Sequence, residues 1–165
     1  MPNDLLHPAS AAALERVEVP YEVIACDPAL ADTATFCDAY GYGLHESANT
    51  ILVVGKAAEP TYAACVVLAT HRLDVNRAVK TLLGTRKASF APQELTTELT
   101  GMAIGGVTAV GLPPAPPLYV DAAVLAADRI VLGGGNRSSK IVAPPALLLA
   151  LPNVRVVEGL ATPAV

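Results

Sequence analysis

Residues 99–111 are the part of this sequence whose residue types point most directly to chemistry. The segment has glycines at positions 101, 105, 106 and 111. Because glycine has no Cβ, its backbone can approach a ligand closely and adopt conformations that other residues resist. Exposed N–H groups in such a loop can hold the carbonyl or carboxylate of a small acyl substrate without charged side chains. A structural crossover through a tight sheet would use the same residues, so both interpretations are open.

The histidines and cysteines form no metal or nucleophile motif. They are widely spaced along the chain: His7, His45, His71, Cys26, Cys37 and Cys65. No CxxC or CxxH pair occurs, so we expect no structural zinc and no disulfide framework. We interpret the cysteines as small buried apolar residues. His71 follows an apolar segment and is either a pocket residue or the end of a strand. We expect no metal and no cofactor.

The common loop motifs of phosphate and acyl chemistry are also missing. The sequence has no GxGxxG, P-loop, HExxH or GxSxG pattern. Three consecutive glycines, Gly133, Gly134 and Gly135, form either a turn or a backbone cradle for an anion. Two roles are likewise open for Asp121, Arg137 and Lys140. These residues either line the mouth of a pocket or lie where strands terminate.

Composition restricts the class of protein. The 165 residues are 53% hydrophobic and 16% charged, which argues against a disordered chain or a coiled coil and fits one domain over residues 1–165. No apolar stretch reaches the roughly 20 residues that span a bilayer, and residues 1–10 lack the pattern of a signal peptide. We therefore expect a cytoplasmic protein without a membrane partner.

The charges are unevenly distributed. Residues 1–71 contain two basic and nine acidic side chains, whereas residues 72–165 contain nine basic and six acidic ones. Five basic residues lie in one window: Arg72, Arg77, Lys80, Arg86 and Lys87. Such a window is either a solvated helix face or a patch that contacts the phosphates of a nucleic acid.

Apolar periodicity and turn residues predict the elements that must position these groups. We expect five helices, over residues 5–17, from Asp32 or Thr33 to the segment 41–43, and over residues 74–83, 93–99 and 146–151. We expect strands at residues 19–25, 50–54, 62–69, 118–121, 129–132, 140–142 and 154–157. The central pair, 50–54 and 62–69, is apolar enough to be buried on both faces. The irregular order predicts an α+β fold with a curved mixed sheet.

Five segments, in their order along the chain, carry a family resemblance: 50–54, 72–74, 98–111, 119–121 and 133–135. They resemble the YbaK/EbsC and prolyl-tRNA-synthetase-associated family of aminoacyl-tRNA editing domains. The resemblance extends from the first predicted helix to about residue 157. It implies a strongly curved, barrel-like mixed β-sheet surrounded by helices.

The resemblance also implies a function. A synthetase pocket separates amino acids that differ by one methylene through only about 1–3 kcal/mol, so a second site must hydrolyse mischarged tRNA. Members of the family are freestanding deacylases or insertions in a synthetase. The implied reaction is hydrolysis of the ester of a mischarged small amino acid on tRNA. The implied partners are the aminoacylated acceptor end of tRNA and, as an open alternative, an aminoacyl-tRNA synthetase.

Candidate site residues follow from the resemblance and from the patterns above. The catalytic positions are Asn49 and Thr50, which open the central strand. The candidate substrate contacts are Gly101, Gly105, Gly106, Gly111, His71, Asp121 and Gly134. The candidate tRNA contacts are Arg72, Arg77 and Lys80.

The sequence departs from the family pattern at two positions. Family deacylases usually have a lysine immediately before the Ser or Thr that opens the central strand, and this chain has Asn49 there. The loop usually has a proline where this chain has Ala109. Two functions are therefore open. The chain is an editing hydrolase, or it is a weak or inactive member that binds an aminoacyl group, an amino acid or a synthetase.

Overall fold

A computed structural model describes residues 4–114 and 116–164 of the chain. In this part ten strands form: β1 (Glu22–Ala25), β2 (Ala48–Lys56), β3 (Thr61–Leu68), β4 (His71–Leu73), β5 (Lys87–Phe90), β6 (Leu118–Asp121), β7 (Ile130–Gly133), β8 (Ser139–Ala143), β9 (Val154–Val157) and β10 (Ala161–Pro163). Five α-helices accompany them: α1 (Pro8–Leu14), α2 (Thr33–Tyr40), α3 (Lys80–Leu83), α4 (Gln93–Thr100) and α5 (Ala146–Leu149). None of these helices is long and apolar enough to cross a bilayer.

The largest sheet has the strand order β5-β2-β3-β6-β9. β2 and β3 pair antiparallel from Ala48 opposite Leu68 to Gly55 opposite Thr61. β6 pairs parallel with both β3 and β9, so the sheet is mixed. Successive residues Val66 and Val67 are buried in separate apolar clusters. This confirms that the central strands are buried on both faces, and it confirms the α+β class.

Two smaller sheets complete the described strands. One has the order β1-β8-β7, and the other is the pair β10-β4. Ser47 forms an isolated parallel bridge with Val131, which brings the start of β2 beside β7. None of the three sheets closes on itself in the described part, so the predicted barrel-like curvature is not confirmed.

The helix ends follow the predicted capping signals. α2 and α4 are followed by Gly41 and Gly101, which have left-handed φ angles of 78° and 71°. The first helix is shorter than expected. It begins at Pro8, a residue that fits the first turn of a helix, and it ends at Leu14. The helix expected over residues 74–83 is a π-helical segment, Val75–Val79, followed by α3.

Three strands were not predicted. β4 and β10 have three residues each and pair only with each other. They are too short to show a period of two. β5 has four residues and pairs with the far half of β2, opposite residues 53–56. Such strands arise from pairing with distant residues and not from their local pattern.

The two glycine-rich segments, residues 101–106 and 133–135, pack backbone to backbone. The Gly135 N–H donates to the Gly106 oxygen at 2.7 Å, and the Ala103 N–H donates to the Gly135 oxygen at 3.3 Å. A Cβ on Gly106 would lie 2.0 Å from the Asn136 oxygen, and one on Gly133 would lie 2.6 Å from the Gly106 oxygen. These glycines therefore allow the loop to lie directly on the β7–β8 turn.

We expect Gly106→Ala to lower the free energy of unfolding by about 1–3 kcal/mol, because the added Cβ meets backbone that cannot move aside easily. Hydrogen exchange at the Gly135 amide, which donates to Gly106, should become faster. Gly101→Ala is the matched control. It adds a Cβ that has no neighbour within 4 Å, so only the left-handed backbone costs about 1–2 kcal/mol. Exchange at Gly135 should then be unchanged, and wild-type stability of Gly106→Ala would contradict this packing.

Candidate functional site

A cavity of about 260 Å³ lies where the start of β2 meets β7, β8, α2 and the glycine loop, which is residues 99–111. This volume is slightly below the range of about 300–1,000 Å³ that is usual for ligand sites, so it fits a small group. The described residues lining it are Thr33, Phe36, Ser47, Ala48, Asn49, Thr50, Ile51, Leu52, Ala91, Gln93, Thr96, Ile104, Gly105, Val107, Val131, Leu132, Gly133 and Lys140. They place Asn49, Thr50 and Gly105 around one space.

Hydroxyl groups hold Asn49 in one orientation. Its Oδ1 accepts hydrogen bonds from Thr33 Oγ1 at 3.0 Å and from Ser47 Oγ at 3.3 Å. Its Nδ2 donates to no group in residues 4–114 and 116–164. This nitrogen is also not one of the buried polar atoms that lack a partner, so it is accessible. The oxygen of this amide is therefore engaged by the protein, and its N–H donors are left for the cavity.

Thr50 adds a second polar group. Its Oγ1 is buried and has no hydrogen-bond partner within the described part of the chain. A buried hydroxyl without a partner costs about 1–3 kcal/mol, so such atoms usually meet water or a ligand. Asn49 and Thr50 both line the cavity at the start of β2, and the Thr50 hydroxyl is buried behind its surface.

Two cations hold successive carbonyls of the glycine loop. Arg137 Nη1 donates to the Ile104 oxygen at 2.9 Å, and Lys140 Nζ donates to the Gly105 oxygen at 3.2 Å. A Cβ on Gly105 would lie 2.0 Å from Arg137 Nη1, so the absence of a side chain makes room for the guanidinium. The Gly105 N–H makes no hydrogen bond to any described residue.

Lys140 is the one charged residue among the described lining residues. It is 6% exposed and also donates to the Ala31 oxygen at 2.7 Å. Its Nζ lies 5.2 Å from the centroid of the Phe36 ring, which also lines the cavity. Burial lowers the pKa of Lys140 below its usual value, because the charged form loses hydration. Lys140 therefore lines the cavity from a position near the start of β8.

The cysteines are free and buried, as predicted. Burial raises the pKa of Cys65 to about 12, and it also raises the pKa of Cys26 and of Cys37. Raised values disfavour the thiolate that a nucleophile requires. Within residues 4–114 and 116–164, no three His, Cys, Asp or Glu side chains gather as a metal site requires.

The other predicted substrate contacts do not line this cavity. Gly101 follows α4, whereas Gly106 and Gly134 belong to the packed glycine backbone, and Gly134 accepts a hydrogen bond from the His7 N–H. Gly111 lines a second cavity beside α1. Their roles in binding stay predictions.

His71 and Asp121 lie near β10, away from the cavity lining. His71 Nδ1 is 3.0 Å from Thr70 Oγ1. Asp121 is 2% exposed, and its Oδ1 accepts from the Ala161 N–H at 3.3 Å, while Oδ2 has no partner in the described chain. Substrate contacts at these two residues also stay untested.

The basic window lies on β4, the π-helical segment, α3 and β5. Arg72 and Arg77 are exposed, and Lys80 is half-buried. None of the three lines the cavity. The window continues to Lys87 at the start of β5, and Ala91, which follows this strand, lies in the cavity wall.

Sequence reasoning missed Thr33 and Ser47, which hold Asn49, because they have no motif around them. Thr33 and Ser47 lie 16 and two residues from Asn49, and only the fold brings the first of them close. For Lys140 the sequence does contain a clue to a special role, because it is a charged residue in the apolar strand β8. All five residues of that strand are buried.

These features describe a mixed α+β protein with a small cavity whose walls supply hydrogen-bond donors. Residues 27–151 match the model of the aminoacyl-tRNA editing domain family, and the chain belongs to this family. Aminoacyl-tRNA editing, the function expected from the sequence, is confirmed at this level.

Solved structures agree with this assignment. A candidate trans-editing enzyme for prolyl-tRNA synthetase superposes with a TM-score of 0.79 at 27% identity, over 96% of this chain and 99% of that chain. A hypothetical protein superposes with a TM-score of 0.72 at 27% identity, over 82% of this chain and 89% of that one. A scaffold used for epitope grafting, with a TM-score of 0.79 at 24% identity over 96% and 100% of the two chains, supports the fold alone.

Proposed function

We propose that this protein is a trans-acting deacylase that hydrolyses the ester between a small amino acid and the terminal adenosine of tRNA. The cavity beside Asn49 is the observation that carries this proposal. It is closed on one side by the glycine loop and on another by the polar start of β2. The aminoacyl group would enter this cavity, and the adenosine would stay at its mouth.

The donors around the cavity suit an ester. In the proposed complex, Asn49 Nδ2 and the Gly105 N–H hydrogen-bond the ester carbonyl or the attacking water, and Thr50 Oγ1 accepts or donates beside them. Preorganised donors of this kind stabilise the charge that develops when water attacks a carbonyl. The described lining contains no carboxylate and no imidazole, so the rate would come from positioning and polarisation and not from a side-chain general base.

The volume of the cavity would set specificity. Its walls include Phe36, Leu52 and Val131, whose side chains exclude bulky amino acids. One extra methylene on the amino acid changes the selectivity between two substrates by about 1–3 kcal/mol. We therefore propose alanine, cysteine, serine, threonine and proline as the candidate amino acids. The structural neighbour linked to prolyl-tRNA synthetase supports including a synthetase of this kind as a partner. The YbaK/EbsC grouping and a cytoplasmic location stay predictions.

We expect measurable hydrolysis when the wild type is given tRNA charged with each of these five amino acids, followed by release of the labelled amino acid. Asn49→Ala should lower kcat by about 10²-fold, as the loss of one preorganised donor usually does. Asn49→Asp is the matched variant, because it retains both acceptor contacts while replacing Nδ2 with an oxygen, and it should lose as much. Glu59→Gln, in an exposed turn, should leave kcat unchanged.

The same assay decides between a hydrolase and a binding module. If Asn49 is a working residue, Asn49→Lys lowers hydrolysis, since an ammonium cannot accept from Thr33 and Ser47. A large gain in Asn49→Lys over an inactive wild type would instead identify a lapsed enzyme that binds its ligand. Release at the buffer rate for all five esters would refute the proposed activity.

For tRNA binding we propose Arg72, Arg77 and Lys80 as phosphate contacts. We expect Arg77→Glu combined with Lys80→Glu to weaken tRNA binding and to reduce the slope of log K against log salt by about 1.5, close to one phosphate per side chain. Filter binding at several salt concentrations measures this slope. Arg155→Glu, an exposed charge reversal on β9, is the control and should leave the slope unchanged. Unaltered binding in the double variant would assign the window to a solvated surface.

A further inference from the structure

Lys140 is a buried cation without an anionic partner in the described chain. The ion pairs found there join Arg129 to Glu46 and Arg137 to Asp32, and neither includes Lys140. A buried charge costs several kcal/mol unless other groups compensate for it. Two carbonyl oxygens, of Ala31 and Gly105, accept two of its three N–H groups. The third N–H and the full positive charge are not satisfied by these contacts.

The groups that surround Lys140 do not neutralise it. Besides Asp32, the acidic groups that interact electrostatically with Lys140 are Cys26 after β1 and Cys37 on α2. Burial raises the pKa of both thiols, so they are uncharged near neutral pH. Asp32 is largely exposed and pairs with Arg137 at 3.1 Å, and Arg137 is itself a further positive charge beside Lys140.

The ammonium stands at the wall of the cavity. Two groups that contact it, Gly105 and the Phe36 ring, line the same cavity as Asn49. The Phe36 ring stabilises a cation over its face but carries no charge. Lys140 is held in place and has no counter-charge. It is therefore suited to bind an anion that forms only when a substrate occupies the cavity.

We propose that Lys140 is a catalytic residue of the editing reaction, whose ammonium donates a hydrogen bond to the ester carbonyl oxygen as negative charge develops on it. This inference rests on the proposed function. The water oxygen bonds to the carbonyl carbon, and the π electrons of the carbonyl move to its oxygen, beside Lys140. When they return, the bond to the ribose oxygen breaks. A proton from the water ends on that oxygen, so water and ester give a free amino acid and an unacylated tRNA.

Two adenosine ligands separate charge stabilisation from simple binding. One carries the amino acid through a neutral 3′-amide, and the other carries a tetrahedral phosphonate whose P–O⁻ replaces the carbonyl. Both use the side chain of the ester that the wild type hydrolyses fastest, or of alanine if none is hydrolysed. Calorimetry measures both affinities for the wild type, Lys140→Met and Lys140→Gln. Lys56→Met, an exposed lysine at the other end of β2, is the matched control.

We expect Lys140→Met and Lys140→Gln to weaken phosphonate binding by about 10²-fold and to lower kcat by a similar factor. In Lys140→Gln, whose side-chain amide can still donate to a backbone carbonyl, amide affinity and KM should change less than about threefold, since neither reports developing charge. Equal weakening of both ligands would overturn the inference and leave Lys140 as an anchor of the glycine loop. Failure of the wild type to bind the amide and to hydrolyse any ester would refute the proposed function itself.

Wild-type protein provides a test that does not depend on the folding of a variant. Because the pKa of Lys140 is lowered by burial, its charge is lost as the pH rises through a value below the usual one for lysine. The ratio of phosphonate to amide affinity should then fall, about tenfold per pH unit above that value. For this pH series both ligands lack the α-amine, because an anionic phosphonate and a neutral amide give that amine different pKa values. A ratio that is constant up to pH 10.5 would contradict the proposal.

Discussion

The hydrogen bonds from Arg137 and Lys140 to two consecutive carbonyls of the glycine loop are the interactions on which the site depends. They reach the Ile104 and Gly105 oxygens at 2.9 and 3.2 Å. Both cations come from the β7–β8 region, and Lys140 also binds the Ala31 oxygen, just before α2. Three segments that are far apart in sequence are thereby fixed around one cavity. Charge-assisted hydrogen bonds are stronger than neutral ones, so they are well suited to holding a loop that has few side chains.

Glycine at these positions acts mainly through close packing inside the protein. The space where a Gly105 side chain would begin is occupied by Arg137, and the corresponding space at Gly106 is occupied by Asn136 backbone. The Gly105 N–H makes no hydrogen bond to the described residues, while the Gly106 carbonyl accepts from the Gly135 N–H on the β7–β8 turn. Substrate contacts at the other glycines stay predictions.

The sequence predicted the class of fold and most long elements, because their apolar periods and capping residues are local features. α2 begins at Thr33 and ends at Tyr40, next to the predicted stop at residues 41–43, and β6 and β9 have the predicted bounds. The three-residue strands β4 and β10 escaped prediction because their pairing is a tertiary contact. Glycine spacing pointed to Gly105 and the resemblance to Asn49, and both residues line the cavity. The contacts of Lys140 with residues 31 and 105 span 109 and 35 positions, so no local pattern could reveal them.

A crystal structure with the neutral 3′-amide analogue of an aminoacylated adenosine bound would test the central claim most directly. The account places the amide carbonyl oxygen within hydrogen-bond distance of Asn49 Nδ2 or the Gly105 N–H, with Lys140 Nζ beside it and the adenosine outside. Binding in the second cavity near Gly111, or an amide whose carbonyl points away from Asn49, Gly105 and Lys140, would contradict it.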